Sequence, residues 1–473
     1  MTATALKLAF SADDYLVTWD LPTDTGETFV AHGALTVASD QPPKGIAHGT
    51  FPHIAKQLKK GGAGFPQYVD APQLLGRLSN GANVLLVNAQ VTYLLASQAV
   101  IYADAAILTL ADVSAHESPM FQKLEIQVGG LDAIAGISPI KQTIFPKTGA
   151  GTWSAELNEE TSQTWGGADA SLTVDFRGSF RTFDPYSFGM GFSPVVRAEF
   201  SEALPFRQLF DDWVQPIRKV VSIATGRPEP LTYAVLKVAD GDGHDRDAPV
   251  FGNGVTQEPY ESAFAEVQKI DSPLRLKTDA VSLLDLVHQW QKMAADHHPL
   301  VETYGAMLHA RDQHPRSRFL LLIQAIEGTH GYETKASFEK RTVKHQATRG
   351  DLVAGVAEVL DEKQLKFLDK NLGKYPPAGL TAALSWLAKK LPGDVYKRLD
   401  GTALITDAKN PPTSATSTAD ALRIIRNNLA HGTNGYDAHQ LHPVVKLLDL
   451  MVRAHALQLL GCPDEVIERL LAE

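Results

Sequence analysis

The sequence predicts an α+β chain of more than one domain, with a β-rich N-terminal part followed by an all-α C-terminal part. Three observations carry this. The first 200 or so residues hold short runs of β-branched and aromatic residues separated by clusters of Gly, Pro, Asp and Ser. From about Ser282 the apolar residues recur at helical steps to the end of the chain. The charge changes in the same region: residues 1–300 hold 22 Lys/Arg against 34 Asp/Glu, a net of −12, whereas residues 301–473 hold 22 against 20, a net of +2. At 473 residues the chain has room for roughly two to four domains.

In the N-terminal part, expected strands are Tyr15–Trp19, Ala31–Val37, Asn83–Val91, Lys123–Val128, Ala170–Phe176 and Val195–Phe200. Their spacing suits an antiparallel sandwich or an irregular barrel. A helix is expected over Leu204–Thr225, with Leu209, Phe210, Trp213, Ile217, Val220 and Val221 as its apolar positions. Pro216 is placed to kink or split it, and Gly226 and Pro228 to stop it. A strand, Leu231–Val238, follows. The run 240–247 looks like a calcium loop, but its ligand spacing is wrong and it lacks the closing Glu, so it reads as a solvated turn. In the C-terminal part, helices are expected at Ser282–Ala295, Ser317–Gly328, Leu352–Leu360, Gln364–Leu372, Leu380–Leu391, Thr418–Ala430, Leu441–Leu460 and Asp464–Leu471, with Ala408–Ser417 as a loop. The domains are expected at 1–300 and 301–473. Between them lies Asp296-His297-His298-Pro299. Adjacent histidines diverge on a helix, so this stretch reads as a helix end and not as a metal pair.

Composition narrows the function. A 44% hydrophobic, 21% charged chain is that of a soluble globular protein. A single cysteine, Cys462, rules out an intramolecular disulfide and a cysteine zinc site, and a reducing cytoplasm is the expected home. The start of the chain lacks a basic region followed by an apolar one, so no secretory signal is expected. The apolar run Leu94–Leu110 is broken by Asp104 and is too short to span a bilayer, so no membrane association is expected. No cofactor is expected. A net charge of −10 disfavours general nucleic-acid affinity, yet the charge split leaves the C-terminal part able to tolerate a phosphate backbone.

The chemistry is expected in Arg426-Asn427-Asn428-Leu429-Ala430-His431. Ser417 followed by Asp420 resembles a capping box, Leu422, Ile425 and Leu429 form an apolar face, and Gly432 suits a helix end, so the helix should run from about Thr418 to about His431. Asn427 and His431 share a face at four residues' spacing. Arg426 and His431 are about 140° apart round an ideal helix. Three arrangements would bring them together: the long Arg side chain sweeps round, the helix distorts, or two copies of the helix meet across a two-fold axis so that each Arg approaches the other chain's His. Arginine offers a permanently charged planar fork for phosphate oxygens, and histidine titrates near neutral pH and moves protons. Together they suit metal-independent RNA cleavage, with the ribose 2′-OH attacking the adjacent phosphate. By spacing alone the pair proves nothing, since such pairs occur by chance, and a dipole-favoured terminal His and a solvated surface Arg are then the favoured account.

Arg-Asn-x-x-x-His followed by Gly, on a late helix of an all-α part, resembles the Arg-x(4–6)-His motif of HEPN domains, in which a polar residue often follows the Arg. The earlier helix Arg318–Gly328, the loop ahead of the motif and the long C-terminal helix are similar to the Apea-like HEPN group. The segment Phe210-Asp211-Asp212-Trp213 through Gly226, leading into Leu231–Val238, is similar to the β-rich domain of ApeA-type anti-phage proteins. The resemblance implies an HEPN-like bundle, homodimerisation through the motif helices, ribonuclease activity without a metal, and a role in limiting phage. It assigns phosphate stabilisation to Arg426, support to Asn427 and proton transfer to His431, with Glu327 as a candidate acidic partner. Partners would be RNA, with tRNA one target, a second copy of the chain, and a phage-derived trigger. The β-rich part would sense infection or restrain the nuclease. Lys340, Arg341, Lys344 and Arg349 form a basic cluster suited either to RNA or to a solvated face. The alternative is a non-catalytic HEPN-type module that binds RNA or another ligand.

Overall fold

The computed structural model describes residues 4–23, 28–51, 54, 65–95, 97–111, 119–144, 154–181, 189–239, 244–376, 379–411 and 413–472. The chain is β-rich first and helical afterwards, as its periodicity predicts. It divides into two compact units, one of residues 1–225 with 229–287, the other of residues 226–228 with 288–473.

The strands of the first unit are β1 (Asp13–Pro22), β2 (Thr28–Val37), β3 (Lys44–His48), β4 (Gln67–Leu78), β5 (Asn83–Leu95), β6 (Gln98–Tyr102), β7 (Ala105–Thr109), β8 (Met120–Val128), β9 (Ile140–Ile144), β10 (Ser154–Leu157), β11 (Gln163–Gly166), β12 (Ala170–Arg181), β13 (Gly189–Pro205), β14 (Leu231–Ala239) and β15 (Asp245–Gly252). Thirteen of them form one sheet in the order β11-β12-β13-β8-β14-β15-β7-β5-β4-β1-β2-β3-β6, and an added β5–β6 pairing closes its end into a ring of six strands. β9 and β10 pair separately. The sequence left sandwich and barrel open. The observed fold is a small antiparallel barrel that opens into a broad sheet.

β5 makes this possible because it is shared. Its first half, Asn83–Val87, pairs with β7, and its second half, from Gln90, pairs with β6. Between them Asn88 adopts a left-handed conformation, φ 50°, which Asn tolerates better than most residues. Across β4 the register runs Ala71↔Ala89 and then Gln73↔Val87, so Pro72 lies opposite Asn88. Pro72 has no N–H to donate, and it stands where the ladder bends. The barrel interior is packed with Trp19, Leu21, Leu35, Phe51, Leu86, Tyr93 and Ile101, all fully buried. Burying each such side chain contributes about 1.5–3 kcal/mol. A Cβ at Gly76 would lie 2.6 Å from Val17 and 2.8 Å from the Trp19 ring, so a side chain there would collide with the core.

The helix expected over Leu204–Thr225 begins later, because β13 runs to Pro205. Phe206–Leu209 is α-helical, Phe210–Val214 is a π-turn, and Gln215–Thr225 is α-helical again. The π-turn comes just before Pro216, which has no backbone donor, so the helix widens there and continues. Leu209, Trp213, Ile217, Val220 and Val221 are buried as expected, but Phe210 is only half-buried. Of the calcium-like run, residues 240–243 lie outside the described residues, and Asp245–Asp247 open β15.

The helices of the second unit are α1 (Pro299–His309), α2 (Pro315–Glu333), α3 (Lys335–Val356), α4 (Glu362–Asn371), α5 (Leu380–Lys390), α6 (Val395–Asp400), α7 (Ala403–Lys409), α8 (Thr418–His431), α9 (Ala438–Leu459) and α10 (Asp464–Ala472). α2 and α9 form the axis of the bundle, and α1, α5 and α8 pack on α2. Leu441, Val444, Val445, Leu448 and Met451 of α9 are buried. Several boundaries differ from expectation. His297–Pro299 is a helix start as well as an end: the His298 side chain accepts from the Leu300 N–H, and Pro299 occupies the first turn. Gly328 does not stop α2, which continues to Glu333. α3 is much longer than its apolar pattern suggests and holds no buried residue, and it ends at Val356 and not at Leu360.

Candidate functional site

α8 is built as its sequence implies. The Ser417 hydroxyl accepts from the Asp420 N–H at 3.1 Å. Asp420 does not complete the reciprocal bond to Ser417. Its carboxylate accepts from the Arg423 guanidinium and from the Thr416 N–H at 3.1 Å, and these bonds hold it below its usual pKa. Ala421, Leu422, Ile425 and Leu429 are buried. The helix ends at Gly432, φ 67°, where the Gly432 N–H bonds to the Asn428 carbonyl, as does the Thr433 N–H at 3.1 Å.

On this helix Arg426 is half-buried and faces α2. Its Nη2 donates to both oxygens of Glu327, at 2.8 and 3.1 Å, and its Nη1 donates to Asn427 Oδ1 at 3.1 Å. The structure therefore brings together Arg426, Asn427 and Glu327. The pair is partly open to water, with side chains 37% and 30% exposed. Of the five guanidinium N–H groups, those not bonded to Glu327 and Asn427 stay available, since among the described residues Arg426 has no other side-chain partner.

His431 is not part of that cluster. It lies at the last residue of α8, exposed, and among the described residues its ring has no hydrogen-bond partner. Among the described residues nothing pairs it with Arg426, as the 140° separation on the helix leads one to expect.

Three residues not singled out from the sequence define the surroundings of His431. Arg316, in the first turn of α2, donates through Nη2 to the Leu429 carbonyl, which puts a guanidinium at the negative end of α8. Asn428 donates to the Tyr436 hydroxyl at 2.8 Å and accepts from Thr433 Oγ1 at 3.0 Å, which pins the turn that follows His431. Asn428 was within reach of sequence reasoning because it lies inside the motif. Arg316 and Tyr436 carry no local signal. The basic cluster on α3 is divided: Arg349 is turned onto the Asp369 carboxylate and the Leu372 carbonyl, and Arg341 lies 5.6 Å from the Phe338 ring, while Lys340 and Lys344 are exposed. Among the described residues no group of three or more His, Cys, Asp or Glu side chains is placed to hold a metal ion, and no helix is long and apolar enough to cross a membrane.

Arg426, held by a carboxylate and an amide, can bind a phosphodiester, and the exposed imidazole of His431, five residues further along but turned away, can move a proton where the two are brought together. No curated protein and no solved structure matches the chain. Residues 19–284 match the family model described as ApeA N-terminal domain 1.

Proposed function

The chain belongs to the family defined by ApeA N-terminal domain 1, and from that premise we propose that it is an anti-phage defence effector whose helical C-terminal part, residues 301–473, is a metal-independent HEPN-type endoribonuclease. The observation that supports this most directly is Arg426, aimed and partly neutralised by Glu327 and Asn427 while keeping N–H groups available. Two copies of α8 meet across a two-fold axis, so that Arg426 of one protomer and His431 of its partner share one cleft. This arrangement overcomes the separation that a single helix imposes.

In such a cleft His431 takes the proton from a ribose 2′-OH. The 2′-oxygen attacks the neighbouring phosphorus and the bond to the 5′-oxygen breaks, with that oxygen gaining a proton. The products are a 2′,3′-cyclic phosphate and a 5′-hydroxyl. Arg426 stabilises charge on the phosphoryl oxygens and Asn427 orients the group beside it. The substrate is cellular RNA, with tRNA a candidate because its loops expose the 2′-OH to in-line attack. The β-rich N-terminal part, residues 1–300, senses a phage-derived trigger or restrains the nuclease, and the protein acts in the cytoplasm.

The test is incubation of total cellular RNA with the wild type, Arg426→Ala and His431→Ala in EDTA, with analysis of the RNA ends. Cyclic phosphate ends from the wild type alone are expected. Cleavage by either variant at the wild-type rate refutes the site, and strict metal dependence refutes the mechanism. A second reading, a non-catalytic module that binds RNA or another ligand, is favoured by one observation: among the described residues the His431 ring has no hydrogen-bond partner. It predicts RNA retained in a shift assay without cut products.

A further inference from the structure

Where β5 leaves β7 for β6, the first unit contains a cleft of about 320 Å³, within the range of small-molecule sites at roughly 300–1,000 Å³. We propose that this cleft binds an unphosphorylated guanine-type base or nucleoside.

Its walls combine three kinds of group. One wall is aromatic. Phe206 and Phe210 flank the start of the π-turn with ring centroids 5.6 Å apart and planes 29° apart, both only half-buried. Half-buried, stacked rings at a cleft offer a planar ligand a surface for its face. π-turns of this kind are common at functional sites because they re-aim side chains. A second wall is polar. Left-handed Asn88 donates through Nδ2 to Asp104 Oδ2 at 2.7 Å. Among the described residues, Asn88 Oδ1 and Asp104 Oδ1 have no hydrogen-bond donor. Two neighbouring acceptors, one of them charged, match a ligand edge that carries adjacent N–H donors, as the N1–H and 2-amino groups of guanine do. Adenine has an acceptor in place of one of these donors.

The third part is the rim. Asp40, φ 52°, donates its N–H to the Val255 carbonyl at 3.0 Å and accepts from the Gly254 N–H at 2.6 Å, which fastens the turn beside Pro42 to the turn at 252–255. Asn253 lies on that turn, exposed and, among the described residues, without a side-chain partner, so it can both donate and accept. The charges argue against a phosphate tail inside the cleft. Arg207 is 3.5 Å from Asp211, which leaves Asp104 as the uncompensated charge. A neutral base gains from that carboxylate, whereas a polyphosphate is repelled by it.

Calorimetric titration of the full-length protein with guanosine, inosine, adenosine and cytidine tests this. Guanosine is expected to bind one site per chain with Kd in the range of about 10–100 µM, as good ligands of its size do. Inosine, lacking the 2-amino group, should bind about tenfold more weakly, and adenosine and cytidine more weakly still. Asp104→Asn keeps an acceptor for Asn88 but turns the other oxygen into a donor, so guanosine affinity should fall at least tenfold. Asp104 is exposed, and an unchanged thermal transition would show that the variant is folded. Phe210→Leu, which removes the stacking face but keeps apolar bulk, should weaken every base that binds. No binding at about 1 mM guanosine overturns the proposal, as does equal affinity for adenosine, or wild-type affinity in Asp104→Asn.

Discussion

Replacing Glu333 by Gln should destabilise the helical unit by about 2–3 kcal/mol at neutral pH. Glu333 is the last residue of α2 and only 16% exposed. Its Oε1 is 2.6 Å from Nε2 of His455, and its Oε2 receives the Lys390 ammonium. His298 Nε2 is 3.7 Å away. Burial pushes the Glu333 carboxyl up, but the His455 and Lys390 donors, with the His298 ring close by, outweigh it and hold the group well below its ordinary 4.5. Hydrogen bonds to a charged group contribute about 1.5–3 kcal/mol each. Gln keeps an acceptor for His455 but turns an amide N–H₂ toward Lys390. Lys390 is 40% exposed and can turn to water, which limits the loss. His455, at 4% exposure, has no such escape. For a unit of this size the change corresponds to a fall of about 4–12 °C in the melting transition, read by circular dichroism. The sign with pH follows from the direction of the shift. A carboxyl held below its unfolded value adds stability that is complete above about pH 4.5 and drains away as pH falls further, by about 1.4 kcal/mol per pH unit. The Glu333 carboxyl carbon, assigned by its absence in the Gln variant, should therefore show no titration step in NMR between pH 7 and about 4. A step near 4.5, or a melting temperature within about 1 °C of the wild type, would refute the reasoning.

Glu327→Gln separates stability from activity. The half-exposed pair with Arg426 contributes no more than about 1 kcal/mol to folding, but RNA cleavage should fall about tenfold or more as Arg426 loses its alignment, and equal initial rates would count against the site. At Gly432 an added Cβ would meet nothing within 4 Å, so Gly432→Ala costs only the left-handed backbone, about 1–2 kcal/mol by chemical denaturation, with Gly432→Asn milder. Tyr436→Phe removes the acceptor of Asn428 and should cost about 1 kcal/mol in the same assay.

Much of the architecture was readable along the chain, and the exceptions share a cause. Asn83–Val91, Lys123–Val128 and Val195–Phe200 lie within strands because their β-branched residues fit a half-buried pleat. β4 was not visible, since Pro72 and Gly76 mark a break locally while the barrel supplies the reasons they are tolerated there. The ring closure depends on β5 changing partners, a long-range event with no local signature. α3 was seen only at its end, because no residue of it is buried and so it has no apolar stripe to detect. At the candidate site, the family resemblance singled out Arg426, Asn427 and His431, and helix geometry warned that one helix face cannot hold both Arg426 and His431. The contact between Arg426 and Glu327 spans 99 residues of sequence, and only the family resemblance drew attention to Glu327.

The ring of six strands also bears on how the protein avoids sticking to itself. An open sheet has two free edges, each a row of unsatisfied backbone groups ready to recruit another chain. By bonding β6 back onto β5, the molecule removes one of them. At the other end stands β11, only four residues long, and beyond it the outer side of β12 carries Asp175 and Arg177. Those side chains bond inward to Arg197 and Glu125, yet they leave charge along the strand that a visiting chain would have to strip of water. Among the described residues the thirteen-stranded sheet thus keeps one charged margin, and lengthening β11 with apolar residues is the change most apt to turn it into a template for fibres.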